Sequence, residues 1–300
     1  MPNLYFSDFI ARHHLPESYA LEAQQWFFPL AESLALLQKD SGEKIIVGIS
    51  GSQGSGKSTL ADLLALMLSE KYQLNVVVLS IDDFYFTRQQ RKTLSRIVHP
   101  LMATRGVPGT HDVALAIDTI RTLCAKRSAS IPRFDKSIDD RYPEEEWNQV
   151  VSKPDVILFE GWCLGAEPQS QEELLEPVNE LEKNEDPVGI WRQYVNQQLR
   201  DVYPELFDMI DSWIMLKAPS FDCVYQWRLE QENKLRESLS GSTSSADKLM
   251  SEQELKRFIQ HYQRITEQLL ETLPDKVDYL FELDDKRKVL GLRSADIAVP

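Results

Sequence analysis

The chain has 300 residues, enough for one large α/β domain or two small ones, and hydrophobic residues make up 42% of it. With 33 Lys and Arg residues against 47 Asp and Glu residues, the formal net charge is -14. This acidic balance argues against nonspecific binding to nucleic acids or anionic membranes, because both need a basic surface. Any anionic substrate therefore requires a local cluster of cationic side chains.

The location is expected to be a reducing cytoplasm. The three cysteines are far apart and lack CxxC spacing, so the sequence predicts neither a disulfide framework nor a zinc site. The first residues lack a basic segment followed by a long apolar one, so no signal peptide is expected. No apolar run approaches ~20 residues, so no membrane span is expected.

Residues 1–42 carry apolar side chains at roughly helical spacing, which predicts an N-terminal helical appendage packed on a sheet. Residues 43–300 are then expected to form a single domain. Short apolar runs in this domain predict five buried strands, at 45–49, 75–80, 156–159, 212–216 and 279–283.

Helical patterns separate these strands, at about 57–71, 113–124, 190–199, 221–238 and 251–273. Asp112 is placed to cap the helix that begins at residue 113. The basic stretch around 88–105 and the stretch 131–141 show no periodicity and are predicted to be irregular. The acidic clusters at 144–146 and 167–186, the latter within a Pro-punctuated insertion at 163–190, are expected to be solvated surface.

Alternating apolar strands and helices predict a parallel sheet with helices on both faces. Sites in such sheets lie beyond the carboxyl ends of the strands. The first strand is followed by the Walker A pattern Gly51-x-x-x-x-Gly56-Lys57-Ser58. Glycines leave room for amide groups to face an anion, and the following helix N-terminus favours phosphate. The residues predicted to hold a nucleoside triphosphate are Gly51, Ser52, Gln53, Gly54, Ser55, Gly56, Lys57, Ser58 and Thr59.

Acidic residues follow two other strands. Glu160 ends the strand at 156–159, where an acid binds magnesium together with the hydroxyl of Ser58. Asp82 and Asp83 follow the strand at 75–80, and a carboxylate there suits proton removal from an attacking hydroxyl. Neighbouring side chains of an extended segment point opposite ways, so one acid is expected to face the substrate. Asp82 is preferred as the base, and this acid favours a kinase over a nucleotide-hydrolysing switch.

Cationic side chains gather in the irregular segments between strands, where substrate-binding groups usually lie. They would suit a carboxylate or phosphate on a small acceptor, although each alone is better explained as surface charge. This set is Arg105, His111, Arg133, Lys136 and Arg141.

Arg228, Lys234 and Arg236 lie in the helix at 221–238, before a serine-rich link at 240–245. A mobile lid often carries such a cation to neutralise charge in the transition state, and Arg228 is the candidate. The alternative is i,i+4 pairing with acids of the same helix, which are Glu230, Glu232 and Glu237. Trp162 and Cys163, after Glu160, are expected to be buried packing residues.

These motifs resemble those of the D-glycerate 3-kinase-like P-loop kinases, a group related to uridine kinase, phosphoribulokinase and bacterial pantothenate kinase. The resemblance covers roughly 45–283. Its motifs are GISGSQGSGKST (48–59), SIDDFY (80–85), RGVPGTHD (105–112), PRFDKS (132–137) and LFEGW (158–162). The chain departs from the plant glycerate kinases in the interior of the phosphate loop and in the acidic insertion after Gly165.

The resemblance implies an α/β fold of the P-loop NTPase kinase type, with a five-stranded parallel sheet in the order 2-3-1-4-5 and a helical lid. It assigns the catalytic base to Asp82 and magnesium handling to Glu160. The candidate substrate-binding residues are Asp83, Tyr85, Arg105, His111, Arg133 and Lys136.

The leading hypothesis is an ATP-dependent kinase that phosphorylates a hydroxyl of a small acid, D-glycerate, to give 3-phosphoglycerate, with ATP and Mg²⁺ as cofactors. Lys57 and Arg228 would offset the charge that develops during transfer. Two alternatives stay open. One is a kinase for another acceptor, such as a nucleoside, a pantothenate-like compound or a sugar phosphate. The other is a non-catalytic ATP-binding regulator that uses the insertion at 163–190 as a partner surface.

Overall fold

The computed structural model describes residues 4–125, 128–239, 250–295 and 297. The serine-rich link at 240–245 lies outside these residues, as do the side chains of Lys234, Arg236 and Glu237. The strands are β1 (Ile45–Gly51), β2 (Val76–Ser80), β3 (Ala129–Ile131), β4 (Phe134–Asp135), β5 (Asp140–Arg141), β6 (Asn148–Val150), β7 (Val156–Gly161), β8 (Ser212–Lys217), β9 (Tyr279–Leu283) and β10 (Val289–Arg293).

α-Helices lie between the successive strands β1, β2, β7, β8 and β9, as the hydrophobic pattern predicts. Within the described residues they are α1 (Leu4–Arg12), α2 (Tyr19–Glu22), α3 (Phe28–Ser41), α4 (Lys57–Tyr72), α5 (Arg88–Ile97), α6 (Val113–Ala125), α7 (Glu180–Glu185), α8 (Ile190–Asp201), α9 (Pro204–Phe207), α10 (Phe221–Leu239) and α11 (Glu252–Thr272). No helix among the described residues is both long and apolar enough to cross a bilayer.

The main sheet has six strands in the order β10-β9-β8-β1-β7-β2. The five predicted strands are all present and occupy the predicted relative order, with parallel pairing throughout. The predicted count was wrong, because β10 adds an antiparallel edge strand beside β9. The run VLGLR is short, contains a glycine and follows a charged turn, so its strand signal is weak.

The register of the central strands determines where the site lies. Every residue of β1 and β7 is buried, as expected for inner strands of a covered parallel sheet. Glu160 at the end of β7 is in register with Ile49 of β1 on one side and Ser80 of β2 on the other. The segments that follow β1, β2 and β7 therefore begin at the same edge of the sheet.

The N-terminal helices pack against the β9–β10 side of the sheet. The rings of Phe27 and Phe281 lie with centroids 5.6 Å apart, and the hydroxyl oxygens of Ser33 and Tyr279 are 2.8 Å apart. These contacts agree with helices that pack on the sheet. The division into an appendage and a kinase domain stays a prediction.

The basic stretch predicted to be irregular contains helix α5, so that prediction was wrong. The helix is highly polar, which hides its hydrophobic pattern, but Thr87 and Gln90 form a capping box at its start. Arg91 is fully buried and donates to the carbonyl oxygens of Phe86, Ala103 and Asp139. Arg91 thereby connects α5 to the stretch 131–141. The short strands β4 and β5 pair within that stretch.

The acidic insertion is only partly solvated surface, because Glu182 and Asp186 are fully buried. Glu182 accepts two hydrogen bonds from Arg264 of α11, at 2.8 and 2.6 Å, and Asp186 pairs with Arg192 at 3.1 Å. A buried carboxylate is tolerated only with such a partner. The expectation of a solvated surface was therefore wrong for these two residues, since their partners lie elsewhere in the chain.

Loss of the Glu182 charge should destabilise the fold, because the substitution Glu182→Gln leaves the buried Arg264 guanidinium without its counter-ion. We expect the free energy of unfolding in urea titrations to fall by ~3 kcal/mol. The matched control is Glu180→Gln on the same helix, where the carboxylate is exposed and the change should stay within about 0.5 kcal/mol. Equal stabilities for the two variants would contradict this role of the pair.

His261 of α11 should make stability depend on pH. Burial lowers the pKa of His261 from 6.5 to about 4, so the unfolded chain takes up a proton between these values and the folded chain does not. Stability contributed by the neutral imidazole is therefore present above about pH 6.5 and is lost as the pH falls toward about 4. The stability difference between wild type and His261→Gln should change by about 1.2 kcal/mol between pH 6 and 5. A stability difference that did not change with pH would contradict this role of His261.

Candidate active site

The loop between β1 and α4 is shaped for an anion. Gly54 and Gly56 have φ values of 80° and 93°, a left-handed conformation that glycine adopts readily. A Cβ on Gly54 would lie 2.7 Å from Cβ of Trp227. The Ser52 and Ser55 hydroxyls are buried and have no hydrogen-bond partner among the described residues. Together with the N-terminus of α4, these groups fit the phosphates of a nucleotide.

The end of β7 meets the start of α4 at Glu160. The Ser58 hydroxyl donates to Oε1 of Glu160 at 3.0 Å, and Nζ of Lys57 lies 3.8 Å from Oε2. Glu160 is buried, and its Oε2 accepts no hydrogen bond from any described residue. A serine hydroxyl and a carboxylate are oxygen ligands of the type that Mg²⁺ prefers. These two side chains therefore fit the magnesium ion of an ATP site.

Asp82 lies after β2, in a 3₁₀ turn at Ile81–Phe84 rather than in an extended segment. Its Oδ2 accepts from Nζ of Lys136 at 2.6 Å, and its Oδ1 accepts from the Tyr85 hydroxyl at 2.8 Å. Burial alone would raise the pKa of Asp82, but the positive charges of Lys136 and Lys57 outweigh it and lower the pKa below its usual range. Asp82 is therefore an ionised acceptor at neutral pH.

Asp83 has a different environment from its neighbour. Its Oδ1 accepts from the backbone N–H of Phe134 at 3.0 Å, and Nε of Arg133 lies 4.0 Å away. Burial raises the pKa of Asp83. The two acids have different partners, but they lie in a 3₁₀ turn, so the extended segment assumed in the sequence analysis was wrong. Asp83 anchors the segment that carries Lys136, and its predicted contact with substrate stays a prediction.

The structure brings only some of the predicted cations close to Asp82 and Asp83. Lys136 and Arg133 contact the two carboxylates. Arg105 instead pairs with Asp139, and its guanidinium carbon lies 5.5 Å from the centroid of the Phe134 ring.

Arg141 links the segment after Asp82 to the start of α6. Its guanidinium donates to the carbonyl oxygen of Tyr85, at 2.8 and 3.2 Å, and lies 3.4 Å from the Asp112 carboxylate. Asp112 also accepts from the N–H of Leu115 at 3.1 Å, which confirms the predicted cap of α6. Tyr85 is buried, so its hydroxyl orients Asp82.

His111 lies against the Asp82 turn. Its ring stacks on that of Tyr85 with centroids 4.5 Å apart, and its Nδ1 is 2.6 Å from the hydroxyl oxygen of Tyr203. Burial lowers the pKa of His111 from 6.5 to about 4, so the imidazole is neutral at physiological pH. Sequence reasoning missed Tyr203, which is 92 residues away and belongs to no recognisable motif.

Arg228 pairs with Glu232 on the same helix, at 3.0 Å. Glu232 is buried and also accepts from the N–H of Met250 at 2.9 Å. This is the helix pairing that the sequence left open as an alternative, and the lid role of Arg228 stays a prediction. Trp162 and Cys163 are buried, as expected, and the Trp162 indole donates to the carbonyl oxygen of Gly106 at 3.1 Å.

Comparison with known proteins identifies the family. The sequence model of the phosphoribulokinase / uridine kinase family matches residues 46–168, which run from the phosphate loop past Glu160. The uncharacterized kinase mug58 of Schizosaccharomyces pombe is 36% identical over 258 residues, which cover 83% of this chain and 85% of the relative. The chain belongs to the phosphoribulokinase / uridine kinase family.

Two further relatives of this chain are named after a substrate. The chloroplastic D-glycerate 3-kinase of Arabidopsis thaliana is 29% identical over 268 residues, or 83% of this chain, which spans about half (54%) of that relative. The solved structure of D-glycerate 3-kinase from Cryptococcus neoformans superposes with a TM-score of 0.72, at 26% identity, over 89% of this chain and 98% of the other. The chain is therefore a P-loop kinase.

Removal of the Glu160 carboxylate should weaken the dependence of nucleotide binding on magnesium. In this P-loop kinase, Glu160→Gln keeps the size of the side chain and an oxygen near Ser58 but removes the charge. We expect the concentration of Mg²⁺ needed to strengthen ATP binding to rise at least roughly 10-fold in equilibrium titrations.

The control for this prediction is Glu282→Gln, which removes an exposed acid from β9 and should leave the titration unchanged. Binding of ATP without magnesium should be retained in both variants. An unchanged magnesium titration for Glu160→Gln would remove Glu160 from the proposed metal site.

Proposed function

We propose that this kinase transfers the γ-phosphoryl group of ATP to a hydroxyl group of D-glycerate and produces 3-phosphoglycerate. The observation that carries the proposal is Asp82, which accepts a hydrogen bond from Lys136 at 2.6 Å and whose pKa is lowered by the positive charges of Lys136 and of Lys57 in the phosphate loop. A carboxylate between a phosphate site and a cationic site suits a hydroxylated acid as the acceptor. The similarity to two proteins named D-glycerate 3-kinase supports this choice of acid.

The nucleotide would be held by the phosphate loop at 51–59 and the N-terminus of α4. Its N–H groups and Lys57 would stabilise the charge on the transferred group, since phosphoryl transfer depends mainly on positioning and electrostatics. Ser58 and Glu160 would hold magnesium, which supplies further neutralisation of the phosphate charge. Arg228 is the proposed lid cation, and it would have to leave Glu232 to act there.

The acceptor would bind beside Asp82, at the segment that carries Arg133 and Lys136. Lys136 and Arg133 would bind the carboxylate of the acid, with Arg105 nearby, while Asp82 orients the hydroxyl and takes its proton. Asp82 has a low pKa while Lys136 contacts it. When Lys136 turns to the carboxylate of the acceptor, Asp82 loses that interaction, and its pKa rises toward the ordinary range. Substrate binding would in this way make Asp82 a stronger base.

The test is release of ADP from MgATP in the presence of a panel of small acceptors, headed by D-glycerate and including pantothenate, uridine and sugar phosphates. We expect release that depends on D-glycerate, with 3-phosphoglycerate as the product. Release with another acceptor alone would refute D-glycerate and keep the kinase mechanism. If no acceptor raised ADP release while ATP still bound, a non-catalytic ATP-binding role would replace this proposal.

The substitution Asp82→Asn should lower turnover by roughly 10²–10⁴-fold, the usual contribution of a general base, while ATP binding is retained. The matched control is Asp118→Asn, an acid-to-amide change on the exposed side of α6, which should leave turnover unchanged. Turnover by the Asp82 variant at the wild-type rate would show that another group accepts the proton.

A further inference from the structure

A hydrogen-bond chain on the acceptor side ends in a buried imidazole whose outer nitrogen has no partner. The chain runs from the N–H of Gly109 through the hydroxyl of Tyr203 to Nδ1 of His111, with distances of 3.2 and 2.6 Å. Nε2 of His111 is buried and forms no hydrogen bond with any described residue. His111 and Tyr203 are 3% and 0% exposed, so bulk water does not satisfy these groups.

The direction of these hydrogen bonds determines which nitrogen carries the proton. The Tyr203 hydroxyl oxygen accepts from Gly109, and its own hydrogen has one acceptor among the described residues, which is Nδ1 of His111. We therefore assign Nδ1 as the acceptor, and so as unprotonated, because the opposite direction would leave the buried hydroxyl hydrogen of Tyr203 without an acceptor among the described residues. Because burial keeps the imidazole neutral, the remaining proton is on Nε2.

The backbone holds this imidazole beside Asp82. The N–H of Phe86 donates to the carbonyl oxygen of Thr110 at 2.8 Å, and the N–H of Asp112 donates to that of Phe84 at 2.7 Å. These bonds flank His111 on both sides and align it with Tyr85, whose hydroxyl contacts Asp82. Asp82 is also the charged group that acts on the pKa of His111.

We infer that Tyr203 is a positioning residue that fixes His111 as the Nε2–H tautomer, so that this N–H donates a hydrogen bond to an anionic oxygen of the acceptor. This inference rests on the proposed function, in which that oxygen belongs to the carboxylate of D-glycerate. A neutral, fixed donor binds a carboxylate oxygen without adding a charge next to Asp82. Because an unpaired buried N–H is costly, an acceptor oxygen that reached Nε2 would stabilise the complex with the bound substrate.

Gly109 and the start of α9 make this arrangement possible. Gly109 has a φ of 92°, and a Cβ there would lie 2.8 Å from both Tyr194 and Gln198 of α8. Glycine therefore lets the 109–111 turn approach α8 closely enough for its N–H to reach Tyr203. The N–H of Gly109 thus holds the hydroxyl of Tyr203 where it contacts His111.

The first test observes the tautomer directly by NMR of the protein labelled with ¹⁵N-histidine, with the His111 signal assigned from the variant His111→Gln. In wild type we expect a protonated Nε2 and an unprotonated Nδ1. In Tyr203→Phe we expect a mixture of tautomers, because the hydroxyl donor to Nδ1 is gone. A protonated Nδ1 in wild type would overturn the inference, whatever the acceptor is.

The second test measures steady-state kinetics with D-glycerate, or with whichever acceptor supports turnover. For Tyr203→Phe we expect the KM for the acceptor to rise about 10-fold, while kcat and the KM for ATP change less than about 3-fold. The matched control, Tyr194→Phe, removes a hydroxyl from the neighbouring ring on α8 and should change none of these values. An unchanged acceptor KM in the Tyr203 variant would overturn the link to the acceptor.

A third comparison separates loss of the donor from loss of packing. His111→Gln supplies an N–H at a similar reach, whereas His111→Leu supplies none, so the acceptor KM should be closer to wild type in the glutamine variant. Equal KM values in the two variants would contradict a donor role. Failure of the proposed function is distinct from these outcomes, since it appears as the absence of acceptor-dependent ADP release by wild type.

Discussion

The parallel alignment of β2, β7 and β1 is the constraint on which the site depends. Glu160 lies in register with Ile49 on one side and Ser80 on the other, so the three strands end at the same level. Each strand then delivers one component: the phosphate loop, the turn that contains Asp82, and Glu160 itself. A shift of one residue in β7 would turn Glu160 to the opposite face of the sheet and away from Ser58.

Charge balance at this edge distinguishes acids that look alike in sequence. Asp82 contacts a lysine ammonium group, and its pKa is lowered despite burial, whereas Asp83 accepts from a backbone N–H and its pKa is raised. The chemistry of an acid therefore depends on its partner more than on its identity. In a chain of net charge -14, Lys136 and Arg133 nevertheless contact these two acids.

The sequence predicted the strands and the phosphate loop well because these features depend on local patterns. Continuous β-branched runs, a glycine-rich turn and a following apolar helix stripe are all contained within short windows. It missed α5, in which only Leu94 and Ile97 are apolar, and β10, whose short run contains a glycine. It also misjudged Glu182, because the compensating Arg264 is 82 residues away.

By itself the sequence determined the type of site, since a phosphate loop and strand-terminal acids carry their chemistry in adjacent residues. Only the tertiary structure decided how the residues around Asp82 are arranged. It placed Lys136 on Asp82, paired Arg105 with Asp139, and brought Tyr203 to His111 across 92 residues. The physical reason is that hydrogen bonds and ion pairs depend on distances in space, which a linear sequence specifies only through packing of the whole fold.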